Sequence, residues 1–313
     1  MRRTRFAYLV LLAAFFLPFL YGRAETPENP AATAAPPPVS ETVRLLVGQD
    51  VRELPLEDYL VGVLAGEMPA SFEPEALKAQ AVAARTYTLS CARSHKHGEA
   101  DICADPAHCQ AWLDEAAMRK NWGENYERNR ARLAAAVTDT AGRWLAYEGE
   151  PIFAAFHASS AGATEDCGAV WNPRPYLVSV PSPESAETVP NYVTVLRCAV
   201  LDFRDTLLAT RPGADFSAPP ESWIGSLDRD GSGRVASVTL GGAVFTGVEL
   251  RRLFSLRSTA FTLVFEGGQF CFTVTGSGHG VGMSQYGANV MAGQGADWRE
   301  IVAHYYPGAV LNG

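Results

Sequence analysis

The chain has 313 residues, 47% of them hydrophobic, enough to bury one large core or two modest ones. Its formal net charge is -8 and its pI about 5.3, with 26 basic residues spread along the chain. That balance excludes a nucleic-acid binder working through a broad basic face.

Residues 1–24 carry three arginines and then an uncharged run from Phe6 to Gly22, a membrane-targeting pattern to be kept out of the fold argument. Arginines ahead of the run favour a cytoplasmic N-terminus and an exported body. A retained membrane anchor is the reading taken here. Gly22-Arg23-Ala24 also offers the small residues a signal peptidase reads, so a secreted, cleaved form is the alternative. Residues 25–41 are rich in proline and alanine and read as an extended, semi-stiff linker.

Regular structure begins with strand-like alternation at 42–47. The stretch 56–89 then reads as two helices joined by an elbow. Leu56, Tyr59, Leu60, Val63 and Leu64 recur at helical spacing. Pro69 ends that pattern, because the residue before a proline is pushed out of the helical region. Pro74 suits the first turn of a second helix, whose alanines let other backbone pack close. Glu67 sits at the joint, where the macrodipole of the first helix disfavours negative charge. Shielding from water would raise its pKa further, toward a value useful to a general acid; an ordinary exposed glutamate in a helix-ending turn is the competing reading, and the one the local sequence favours.

Within thirteen residues, His97, Cys103, His108 and Cys109 supply two imidazoles and two thiols. The set matches a closed tetrahedral zinc site of the structural type. A Cys103–Cys109 disulfide, permitted in an exported protein, or simply solvated histidines, are the competing readings. Cys91, Cys167, Cys198 and Cys271 look scattered and individually structural.

Residues 116–140 read as one helix stopped near Gly142. Residues 144–147 and 151–165 are strand-like, 172–191 proline-rich loop, and 200–209 helical. Strand patterns follow at 235–240, 244–246, 261–265 and 270–274, and short helices at 285–292 and 298–305. The segment 227–235 resembles the start of a calcium loop but has Thr239 where the bidentate glutamate belongs, so it reads as a tight turn. In FHASSAGATE (156–165), His157, Ser159, Ser160 and Thr164 stand among small residues. In GSGHGVGMSQYGA (276–288), five glycines surround His279, and Ser284, Gln285 and Tyr286 follow. Both read as candidate substrate-positioning loops. The predicted fold class is α+β, with a helix-rich N-terminal part, a zinc-stapled segment and a strand-rich C-terminal part forming one bilobed unit with a cleft over 42–313.

LEDYLVGVLAGEMP, LKAQAVAARTY, FHASSAGATE, ELRRLFSLRST and GSGHGVGMSQYGA occur in that order, from about residue 43 to the C-terminus. Together they closely resemble the SpoIID/LytB family. The resemblance implies a peptidoglycan lytic transglycosylase that cleaves the MurNAc–GlcNAc bond of glycan strands already stripped of stem peptides, leaving 1,6-anhydro-MurNAc ends. It puts the family's catalytic acid, in its G-E-x-P element, on Glu67. It implies structural zinc on His97, Cys103, His108 and Cys109, which reproduce the family's His-x5-Cys-x4-His-Cys pattern. It also suggests that Gln80, Arg85, His157, Ser159, Ser160, His279, Gln285 and Tyr286 line the cleft. Implied partners are an amidase (stage II sporulation protein P) and a membrane scaffold (stage II sporulation protein M), on the mother-cell side during forespore engulfment. A non-enzymatic glycan binder that enhances a partner amidase is the alternative. A zinc amidase is a third reading, weakened by a zinc sphere with no open position.

Overall fold

The computed structural model describes residues 41–94 and 96–313. The anchor expected at 1–24 and all but the last residue of the linker at 25–41 lie outside the described residues. Among the described residues, no helix is long and apolar enough to cross a membrane.

Strand β1 (Thr42–Val47) pairs with β2 (Asp50–Pro55) in an antiparallel hairpin, and α1 (Leu56–Glu67) follows without a break. Glu57 and Asp58 sit in the first turn of α1, where the helix dipole favours acids. The helix ends at Glu67, and Met68 is extended at φ -129°, ψ 145°, as a residue before proline must be. Helix α2 (Pro74–Ser94) starts on its proline and runs through the middle of the first core, touching α1 and later elements on several sides. Ala76, Ala79, Ala81, Ala83 and Ala84 are wholly buried, and their small side chains permit that crowding.

Short β3 (Ile102–Cys103) adds parallel to β1. The single helix expected over 116–140 is instead two: α3 (Glu115–Trp122) and α4 (Tyr126–Asp139), with a 3-10 turn between. Gly123, at φ +51°, breaks the continuous pattern. β4 (Trp144–Tyr147) and β5 (Glu150–Pro151) form the next hairpin. Most of 151–165, expected to be strand, is irregular; only β6 (Phe156–His157) is regular.

A second core is built on residues 193–275. It contains β7 (Val193–Ala199), α5 (Val200–Thr210), β8 (Ile224–Arg229), β9 (Val235–Leu240), β10 (Ala243–Thr246), α6 (Gly247–Leu253), β11 (Phe261–Glu266) and β12 (Gln269–Thr275). Its strands make two three-stranded antiparallel sheets, ordered β10-β9-β8 and β11-β12-β7. Phe203, Phe270 and Trp223 stack at its centre, with ring centroids 3.9 and 5.5 Å apart. The calcium-like segment is the turn from β8 to β9, with Asp230 accepting from the N–H groups of Ser232 and Arg234.

The chain then returns to the first core with β13 (Met283–Ser284), α7 (Gln285–Gly293), α8 (Trp298–Tyr305) and β14 (Val310–Asn312), the last pairing with β4. The fold is therefore mixed, with helices and several small sheets. The two closing helices, expected at 285–292 and 298–305, pack on α2, and their apolar residues complete the first core.

Candidate active site and metal centre

The residue Glu67 ends α1 against residues 111–113, which lie directly on that helix. Gly62 and Gly66 make the approach possible. Leu113 N–H donates to Gly62 O (3.1 Å), and a Cβ on Gly62 would press on the Trp112 indole and stand 2.7 Å from Leu113 O. A Cβ on Gly66 would meet Ala111 at 3.0 Å. Gly62→Ala therefore separates two effects. Helix propensity alone predicts a gain of about 1 kcal/mol. The packing predicts a loss of about 1–3 kcal/mol, read as a lowered Tm, together with lower activity as Ala111 is displaced.

Ala111 N–H donates to Glu67 Oε1 at 2.6 Å, and the Gln285 amide reaches Oε2 at 3.4 Å. Burial lifts the Glu67 pKa above the usual carboxylate range, and these two donors oppose that rise in part. Glu67 lies on a cleft of about 880 Å³ whose wall also carries His157, His279, Trp171, Phe153, Tyr87 and His108. It is the only carboxylate on that wall among the described residues.

The two small-residue loops predicted separately zip against one another. β6 and β13 pair in parallel, with Ser284 opposite His157. Ser159 and Ser277 exchange both N–H···O bonds (3.0 and 2.8 Å), and Glu165 N–H donates to Gly280 O. This brings the His157 and His279 rings within 5.7 Å. His157 Nδ1 donates to Val281 O (3.2 Å), so its Nε2 accepts from Ser160 Oγ at 2.7 Å. His279 Nδ1 accepts from Val281 N–H, leaving its proton on Nε2. Burial holds the His157 pKa well below its usual value and, with Arg251 nearby, pushes His279 down to about 4. Both rings are neutral at physiological pH and act as hydrogen-bonding groups.

The remaining expected site residues fall elsewhere. Ser159 and Ser160 are buried behind the wall. Tyr286 packs edge-on against Phe72 at 4.9 Å. Gln80 is wholly buried in α2, and neither of its amide atoms has a partner. The guanidinium of Arg85, fully buried, pairs with Glu57 (2.7 Å) and donates to the carbonyls of Val137, Thr140 and Arg143 at the end of α4. Neither Gln80 nor Arg85 is among the residues that line the cleft around Glu67.

Glu184 is a buried residue the sequence did not suggest. It accepts from Ser160 N–H, Ser284 Oγ and Ser182 Oγ, each at 2.5 Å, and so ties both loops to Tyr305 through Ser182.

The side chains of His97, Cys103, His108 and Cys109 converge, with their donor atoms all within 4.8 Å of one another. His97 Nε2 is 3.2 Å from Cys109 Sγ, and His108 Nδ1 is 3.6 and 3.5 Å from the two sulfurs. A tetrahedral zinc with ordinary Zn–S and Zn–N bonds needs donor separations of about 3.3–3.8 Å. The four residues fit such an ion. All six cysteines are free in this structure, Cys103 and Cys109 among them. Cys91, read above as individually structural, stands on α2 near Cys109, whose neighbourhood lowers its pKa. The Gln110 amide, next in sequence, anchors the segment on Tyr59 and Thr88.

The sequence profile described as "SpoIID: Stage II sporulation protein" matches residues 48–147, which span α1, α2 and the metal-binding segment. Stage II sporulation protein D of Bacillus amyloliquefaciens is 38% identical over 283 residues, 88% of this chain and 79% of that protein. Its counterpart in Bacillus subtilis (strain 168) is 37% identical over 287 residues, 90% of this chain and 81% of that protein. The chain belongs to the SpoIID family. A more distant relative, the amidase enhancer of Bacillus subtilis (strain 168), is 28% identical over 303 residues; the match covers 80% of this chain but 40% of that protein.

Proposed function

We propose that this SpoIID-family chain is a cell-wall enzyme, a lytic transglycosylase acting on peptidoglycan glycan strands, with residues 42–313 as one bilobed catalytic unit. A lone carboxyl group on a large cleft, held by a backbone N–H and lifted in pKa, carries the reading. Ordinary glycosidases use two carboxyl groups, one as acid and one as base or nucleophile. A transglycosylase needs one. Glu67 donates its proton to the leaving O4 of GlcNAc as the C1–O4 bond breaks. The C6 hydroxyl of the MurNAc ring then bonds to its own C1 and returns a proton to the Glu67 carboxylate.

Ala111 and Gln285 steady the carboxyl group, and His157 and His279 offer neutral donors and acceptors to the sugar. Trp171, Phe153 and Tyr87 present rings for sugar faces. Zinc on His97, Cys103, His108 and Cys109 would be structural. Bound, it supplies no vacant position for a water and holds the segment that delivers the Ala111 N–H. In this reading the body is exported and held to the membrane by the N-terminal segment. It acts in forespore engulfment after an amidase (stage II sporulation protein P), on a scaffold (stage II sporulation protein M).

The reaction is tested by digesting peptide-free glycan strands with the full chain and identifying product ends by mass spectrometry. Anhydro-MurNAc ends are expected. Hydrated reducing ends would mean hydrolysis instead, and no release at all, with a partner amidase still stimulated, would favour the glycan-binding enhancer.

A further inference from the structure

Both imidazoles on the cleft wall are fastened to one residue. Val281 accepts from His157 Nδ1 through its carbonyl and donates its N–H to His279 Nδ1. Its neighbour Gly280 accepts from Glu165 N–H at 2.8 Å. Gly280 has φ +87°, and a Cβ there would stand 2.6 Å from Nε and Nη2 of Arg234. The room a side chain would need is filled by a guanidinium.

Arg234 belongs to the second core. It closes the β8–β9 turn, its N–H donating to Asp230 Oδ1 and its carbonyl accepting from Asp230 N–H. Its side chain is buried, with the residue 1% exposed. Nε lies 3.6 Å from Glu165 Oε2, beyond hydrogen-bond length, and among the described residues neither Nε nor Nη1 has a hydrogen-bond partner. For stability alone, a guanidinium so placed is costly. What it secures is contact with Gly280 and a positive charge beside Glu165 and Asp230. Ser232 Oγ, 3.0 Å from Glu165 Oε2 and 2.7 Å from Asp230 Oδ1, links those two carboxyl groups.

We propose that Arg234 is a positioning residue for the imidazole wall: reaching from the second core, it fixes Gly280 and, through Val281, sets where His157 and His279 meet the sugar. Arg234 is not among the residues that line the cleft, so it acts through the loop and not on the substrate. The inference rests on the glycan reading above and adds how its wall is held. A further tie between the second core and the loop, Gly278 N–H to Arg257 O at 2.8 Å, is main-chain. A change at Arg234 therefore loosens the loop without detaching it.

Binding is measured with the full chain carrying Glu67→Gln as the parent, so that strands persist, and peptide-free glycan strands are the probe. Arg234→Ala and Gly280→Ala break the contact from opposite sides. Each should weaken strand binding by the folded protein about tenfold, the worth of one or two imidazole hydrogen bonds. Each should also speed amide exchange through 278–283 while the sheets of the second core keep the parent's rate. The double variant should bind no more weakly than Arg234→Ala alone, because both changes remove one contact. Parent affinity in Arg234→Ala, or losses that multiply in the double variant, overturns the proposal. Exchange that speeds throughout the second core with affinity unchanged overturns it too, and leaves Arg234 a stabilising ion pair only. If Arg234→Ala does not fold, Gly280→Ala decides by the same two readings. The outcomes separate from those for cleavage. Binding changes in this pattern, with no anhydro ends released by the wild-type chain, keep this inference and lose the reaction; anhydro ends with parent affinity in both variants do the reverse. If the parent binds no strand, the exchange pattern alone decides the positioning.

Discussion

With zinc held by the cluster as proposed, stripping it from the full chain should release residues 96–111 and abolish activity without any contact between metal and substrate. The segment has little apolar surface of its own, and four of its side chains meet at one point. Ligand binding that exists only in the folded state is folding free energy, worth about 10–16 kcal/mol for structural zinc in small peptides. A large domain contributes other contacts, so the expected cost for Cys109→Ser is smaller, about 3–5 kcal/mol. That corresponds to a fall in Tm on the order of 10 °C for a chain of this size. Hydrogen exchange should speed up through 96–113, and Glu67 should lose the Ala111 donor. A chelated protein with unchanged exchange in that segment would contradict a structural role, and one that kept its fold but lost only chemistry would point to a catalytic metal.

The second large effect concerns Arg85, which the family resemblance assigned to the cleft. Its guanidinium serves three carbonyls at the end of α4 and the Glu57 carboxylate. Glu57 is 44% exposed on its side chain, so the ion pair itself contributes little; the buried donors and carbonyls matter more. Arg85→Met leaves those carbonyls without a donor and should cost about 3–5 kcal/mol. Thermal denaturation reads that loss. The KM of the folded fraction should stay at the wild-type value, whereas a substrate-orienting arginine would raise it.

These two residues mark where the sequence was legible. The prolines at 69 and 74 set the elbow, because their effect on backbone conformation is local. The His/Cys spacing gave the metal cluster for a similar reason, since its four members span only thirteen residues. Glu67 was visible as an acid at a helix end, but its hydrogen-bond partner was not. Ala111 acts through its backbone N–H, which every residue but proline has. Arg85 pairs with Glu57, 28 positions away, and Glu184 with Ser284, 100 positions away, and no local pattern encodes those pairings. Glu184 lies in a proline-rich stretch that looked like plain loop. Strand β7 was missed because Val193, Val195 and Leu196 are all exposed, so the edge strand lacks the alternation that marks a half-buried one. The helix expected across 116–140 failed at Gly123, whose positive φ is a tertiary outcome.

Glu67→Gln tests the central claim most directly, by anhydro-product formation from peptide-free strands under saturating substrate. The amide keeps the shape of the side chain and an acceptor for Ala111 N–H but cannot donate or take the catalytic proton. Removing a general acid/base lowers rates by about 10²–10⁴-fold. A loss of that size in kcat, with bound metal, Tm and strand affinity preserved, is the predicted result. Turnover within a few-fold of wild type would contradict the account.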